Sequence, residues 1–344
     1  MHINPSAGGS FMRISFAFGI ALAMTAPATL WAGEPTGAQE QAAVDPEVVP
    51  DVITLSADKN RRMTVDVTIN GNGPYPFIVD TGAEGTLIPR ELAEQLSLRG
   101  GPEVKIHSMG ASKVVRTAVI PQLAANKMIV KDVVAPALTR SNLGAAGILG
   151  LPALKSQRML LDFKAGSMTL TPSDEAQENW EGESIVVTAR SRLGQLILTD
   201  ASIDGDHVQV IVDTGNYLSV GNLALRRLLT ARRAAPFGGR APIELLDVTG
   251  NTTQVNYTIV DQLRIATLGF ENVPIAFADA HVFTMLGLKR TPTLLLGMDV
   301  LRFFGRVSID FGKRRVRFQR SEAYIVPASG NVAQSPRGQP PAAK

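Results

Sequence analysis

The sequence predicts an all-β protein of two similar lobes related by a pseudo-twofold axis, with a few short helices. Three observations carry this. One stretch is written twice, at residues 65–96 and 199–229. The text after each copy is dominated by short runs rich in Val, Ile and Thr, punctuated by Gly, Asn and Pro turns. A length of 344 residues suits two units of roughly 100–200 residues each better than one.

The elements follow in order. Each copy opens with a strand ending in Ile-x-Gly, as Ile69-Asn70-Gly71 and Ile203-Asp204-Gly205. An apolar strand then ends in Ile-Val-Asp-Thr-Gly at 78–82 and 211–215. Leu92 and Leu96 stand 12 and 16 residues after Asp80, and Leu225 and Leu229 stand 12 and 16 after Asp213. Their i, i+4 spacing predicts a short helix with one buried stripe in each unit. The far ends agree as well, Gly147-Ile148-Leu149-Gly150-Leu151 matching Leu294-Leu295-Leu296-Gly297-Met298. Asp162-Phe163 and Asp310-Phe311 then open a final hairpin, each aspartate fixing a turn. The first lobe is expected over 51–171 and the second over 184–327, joined by a polar, acidic linker at 172–183.

Hydrophobic residues make up 45% and charged residues 19%, which supports a packed core and excludes wholesale disorder. A net charge of +3 is too small a surplus to make nucleic acid the expected partner. The absence of cysteine excludes disulfide scaffolds and thiol catalysis. The four histidines (His2, His107, His207, His281) have no metal-ligand spacing, so neither a metal nor a cofactor is expected. At the N-terminus, Arg13 precedes an uncharged run from Ile14 to Leu30. Residues 1–32 read as a signal peptide or, uncleaved, as a membrane anchor, giving an exported, periplasmic or secreted protein. Residues 33–50 read as a flexible spacer and 328–344 as a disordered tail.

The repeated Asp-Thr-Gly is the motif that carries chemistry. A strand delivers the aspartate rigidly, the threonine hydroxyl braces the turn, and glycine permits close approach of another backbone. If two such loops face each other, Asp80 and Asp213 come into contact. Two carboxyls that close cannot both ionise, so they share one proton and divide the roles of general base and general acid.

On these residues the sequence resembles aspartic peptidases of the pepsin/retroviral-protease (retropepsin-like) superfamily, in a single-chain, two-lobed form, over roughly residues 52–320. Asp80-Thr81-Gly82-Ala83 matches the retroviral form of the motif, and Thr291 to Gly297 is similar to the retroviral segment that lines substrate pockets. The resemblance implies catalytic Asp80 and Asp213, interlocked Thr81 and Thr214, and loops completed by Gly82, Ala83, Gly215 and Asn216. It further implies a polypeptide substrate bound in extended form, and both halves in one chain imply a monomer. A glycine-tipped flap is expected after each motif, at Met109-Gly110 and at Thr249-Gly250. Leu87, Ile88, Ile148, Val220, Thr293 and Leu295 are expected to line the substrate pocket. The second motif departs from the family at Asn216, where Ser, Thr or Ala is usual. Asn216 either donates a hydrogen bond to the carboxylate or marks a degenerate lobe. The reading is therefore an aspartic endopeptidase, with a non-catalytic peptide-binding protein of the same fold as the alternative.

Overall fold

The computed structural model describes residues 63–108, 112–177, 179–232 and 242–320. The expected export segment 1–32, the spacer 33–50, the tail 328–344 and the flap residues Met109 and Gly110 lie outside the described residues.

The protein is mostly β and two-lobed. In the first lobe six strands form one sheet in the order Ile88–Pro89, Met128–Leu138, Thr117–Ala125, Thr64–Ile69, Asn72–Val79 and Ile148–Leu149. Alternation places its residues: in Thr64–Ile69, Val65, Val67 and Ile69 are buried while Asp66 is exposed. The second lobe repeats the arrangement in a nine-stranded sheet, where Gln209–Val212 and Val220–Gly221 flank Thr293–Leu296. Each expected helix forms. Arg90–Gln95 buries Leu92, with Leu96 half-buried just past its end, and Leu223–Arg232 buries Leu225 and Leu229.

A third sheet joins the lobes. Its five strands run Ser167–Pro172, Gln157–Asp162, Phe304–Asp310, Arg315–Arg320 and Ser184–Thr188. The final hairpins of the two units therefore pair with each other, Leu161 opposite Val307 and Met159 opposite Ile309. Asp162 turns its own hairpin by accepting from the Ala165 amide at 2.8 Å, and it also takes the Arg306 Nε at 2.7 Å across the seam. Asp310 accepts from the Lys313 amide at 2.8 Å in the matching position. The stretch 172–183 contributes packing through Trp180, which is buried with the Arg317 guanidinium 4.2 Å above its ring. One apolar cluster runs through both lobes, and a smaller one lies on the cleft side of each. Among the described residues no helix is long and apolar enough to cross a membrane.

Candidate active site

Each Asp-Thr-Gly loop is held by a strand inserted between its two legs. In the first lobe Ile148–Leu149 runs parallel to the incoming leg, Ile78 beside Ile148 and Val79 beside Leu149, and is bridged antiparallel to Leu87. The Asp80 amide donates to the Leu149 carbonyl at 3.0 Å. In the second lobe Thr293–Leu296 lies between Gln209–Val212 and Val220–Gly221, and the Asp213 amide donates to the Leu296 carbonyl at 3.0 Å. The glycine after each inserted strand has a steric cause. A Cβ on Gly150 would overlap the Gly85 carbonyl, and one on Gly297 would lie 2.6 Å from the Leu218 carbonyl carbon.

The threonines lock the two loops to each other in both directions. Thr81 Oγ1 donates to the Val212 carbonyl at 2.7 Å and accepts from the Thr214 amide at 3.1 Å. Thr214 Oγ1 donates to the Val79 carbonyl at 2.7 Å and accepts from the Thr81 amide at 3.2 Å. Both side chains are buried, so removing a hydroxyl leaves a carbonyl and an amide without partners. Thr214→Val is expected to destabilise the fold by about 1–3 kcal/mol. A double-mutant cycle with Thr81→Val should give a coupling clearly different from zero in denaturant titration, because the four bonds form one network.

The carboxyls project from this lock toward each other's loops. Asp80 Oδ1 accepts from the amides of Gly82 at 2.7 Å and Ala83 at 3.1 Å. Asp213 Oδ1 accepts from Gly215 at 3.0 Å and Asn216 at 3.3 Å. A Cβ on Gly215 would overlap the Asp80 carboxyl, and one on Gly82 would lie 2.8 Å from both Asp213 oxygens. Each aspartate thus sits on the opposing loop's glycine. Their surroundings differ: Asp80 is half-buried, whereas Asp213 is 3% exposed. Burial raises the Asp213 carboxyl above the ordinary 3.8, although the Asn216 side chain and the Gly215 and Asn216 amides act against it. Asn216 Nδ2 donates to Asp213 Oδ2 at 2.6 Å.

Both aspartates lie on the wall of a cavity of about 590 Å³ between the lobes. Leu87, Ile148, Val220 and Leu295 line it, together with Gly82, Ala83, Gly215 and Asn216. Two pocket assignments need correction. Ile88 is wholly buried in the first-lobe core, because it follows Leu87 and points to the opposite face. Thr293 shares the parity of Leu295 but sits one pleat further from Asp213. It is fully buried, its hydroxyl donating to the Thr291 carbonyl and its amide to Asn222 Oδ1.

A hairpin follows each motif, Val104–His107 with Ser112–Val115 and Ile243–Leu246 with Thr252–Val255. In the second, the expected tip residues Thr249 and Gly250 do not line the cavity. Asp247 Oδ1 accepts from the Thr249 amide and hydroxyl and from the Asn251 amide, curling the turn so that Asp247 and Val248 reach the cavity instead. Gly250 packs against the Asn142 side chain of the first lobe with φ +87°.

The hairpins also meet across the cleft, which the sequence did not reveal. Ser108 Oγ donates to Asp247 Oδ2 at 2.5 Å. The His107 ring stacks on His281 with centroids 3.9 Å apart and planes 11° from parallel. Contacts joining residues more than a hundred positions apart have no local signal.

Comparison with known proteins completes the site. A search among curated protein sequences returns no match. Among solved structures, a retropepsin-like aspartic protease from Rickettsia conorii aligns at 17% identity, over 40% of this chain and 89% of its own, with a TM-score of 0.27. The sequence profile described as aspartyl protease matches residues 65–153 and 199–300, more than half the chain. Those two regions contain both motif loops and both strands that hold them, and the chain accordingly belongs to the aspartyl protease family.

Proposed function

We propose that the chain is an exported aspartic endopeptidase, cleaving an extended polypeptide with one proton shared between Asp80 and Asp213. The observation that carries the reading is the crossed seating of the two carboxyls, each against the other loop's glycine, at the wall of an open cavity. Burial favours the neutral form of Asp213, which makes it the acid facing the substrate carbonyl, and leaves half-buried Asp80 as the base.

Asp80 takes a proton from water as the water oxygen adds to the carbonyl carbon, and Asp213 gives its proton to the carbonyl oxygen. In the collapse, Asp213 takes a proton back from one hydroxyl, the C–N bond breaks, and Asp80 protonates the leaving nitrogen. The pair returns to its starting state without a covalent intermediate. The cavity wall is apolar on both sides of the pair, with Leu87 and Ile148 from one lobe and Val220 and Leu295 from the other. That favours hydrophobic residues flanking the cleaved bond. Export rests on Arg13 and the uncharged run from Ile14 to Leu30.

The test is a peptide library incubated with the purified wild type and with Asp80→Asn and Asp213→Asn. Cleavage by the wild type alone, with a rate maximum at mildly acidic to near-neutral pH, is the expected result. A maximum below about pH 3 contradicts the assigned pH range. Retention of peptides without cleavage by all three proteins would instead establish a binding module with a degenerate second lobe.

A further inference from the structure

The two motif loops are braced from behind by different chemistry. Behind the first loop stands the turn Gly150-Leu151-Pro152, where the Leu151 amide donates to the Ala83 carbonyl at 3.0 Å and proline supplies no polar side chain. Behind the second stands Gly297-Met298-Asp299. Its backbone makes the matching bond, the Met298 amide to the Asn216 carbonyl at 2.9 Å, and adds the Asp299 amide to the Tyr217 carbonyl at 2.9 Å.

The Asp299 side chain then closes a clamp. Its Oδ2 accepts from the Ser219 amide at 2.9 Å, and its Oδ1 accepts from the Ser219 hydroxyl at 2.7 Å and from the Val300 amide at 2.9 Å. The same Ser219 hydroxyl accepts from the Gly297 amide at 3.0 Å. Ser219 is wholly buried and Asp299 is 8% exposed. Burial pushes the Asp299 carboxyl up to about 6, while the Ser219 and Val300 donors act to hold it down. A buried acid outside the proposed proton relay is a costly element to keep for a turn that the first lobe makes with proline.

The segment gripped by these bonds runs from Asn216 to Ser219, and Asn216 is the residue whose side chain reaches the Asp213 carboxyl at 2.6 Å. We infer that Asp299 is a positioning residue, which by clamping Asn216–Ser219 holds the Asn216 amide against Asp213. Ser219 is its partner in the clamp. The inference rests on the peptidase reading for its catalytic consequence, but the clamp itself can be observed without turnover.

The test uses the full chain as wild type, Asp299→Ala, Asp299→Asn and Ser219→Ala. It combines steady-state hydrolysis of a peptide taken from the library with amide hydrogen exchange over residues 213–220 and NMR of the Asn216 side-chain amide. Asp299→Ala is expected to lower kcat by about 10- to 100-fold with KM changed less than about 2-fold, the pattern of a misplaced catalytic group rather than lost substrate binding. Ser219→Ala should give a smaller fall in the same sense, and Asp299→Asn should recover only part of the loss, since its one carbonyl oxygen replaces two accepting carboxylate oxygens and its NH₂ meets the Ser219 or the Val300 amide. Exchange at Ser219 should quicken in Asp299→Ala and the Asn216 side-chain signals should move. A folded Asp299→Ala or Ser219→Ala with wild-type kcat overturns the inference, as does a loss confined to KM. If the wild type cleaves nothing, the peptidase reading fails by itself. Unchanged Asn216 signals and exchange in Asp299→Ala would then overturn the clamp separately.

Discussion

Gly215→Ala is expected to remove at least about 10²-fold of kcat/KM, the scale on which misplaced catalytic groups lose rate. The added Cβ falls on the carbon and both oxygens of the Asp80 carboxyl, so one of the two must move. The loop cannot retreat easily, because Thr214 beside it is tied to Val79 and Thr81 by three bonds and Asp213 is tied to Leu296. Asp80 is the group displaced, and its bonds from the Gly82 and Ala83 amides are lost or bent. Overpacking of this kind also costs about 1–3 kcal/mol of stability. Gly82→Ala places its Cβ 2.8 Å from the Asp213 oxygens and should have a weaker effect in the same direction. Gly269→Ala, where a Cβ meets nothing within 4 Å, is the control. Peptide hydrolysis and thermal melts of the three variants give the ranking. An active Gly215→Ala enzyme would mean that the loops do not approach as described.

The parts that could be read from the sequence are those with local or repeated signals. The Asp-Thr-Gly loops stood out because a strand pattern and a following leucine pair recur around both copies. The strand inserted between each loop's legs was visible only as an apolar-apolar-Gly repeat, and its cause, a backbone crossing at Gly150 and Gly297, needed three dimensions. Pocket residues were harder. Leu87 and Ile88 are both apolar neighbours, and only the pleat decides that one faces the cavity and the other the core. Thr249 and Gly250 were placed correctly on a hairpin turn but not at the cavity, because the Asp247 side chain curls that turn. The seam between lobes left almost no trace, since the pairing of Leu161 with Val307 joins hairpins that look like ordinary chain ends. The Asp299 clamp had no signal of its own. Its partner Ser219 lies 80 positions earlier, beyond any spacing rule.

Asp213→Asn is expected to lose about 10²–10⁴ of the peptidase rate, the usual contribution of a general acid, and yet to gain stability at neutral pH. The two effects have one cause. Burial at 3% exposure makes the ionised Asp213 costly in the folded protein, so its carboxyl titrates above 3.8 there, while in the unfolded chain it titrates near 3.8. The folded state therefore holds a proton that the unfolded state has released. This contribution to stability is complete below 3.8 and falls away as pH rises toward and through the folded value. Asparagine carries no charge to desolvate. Its carbonyl keeps the Gly215 and Asn216 amide bonds, and its NH₂ is met by Asn216 once that side-chain amide turns its oxygen inward. The melting temperature of Asp213→Asn should exceed that of the wild type at pH 7, and the gap should close as pH is lowered toward 3.8. A gap that stays constant with pH would show that Asp213 carries no such burden when ionised, and the assignment of the proton to Asp213 would move to Asp80.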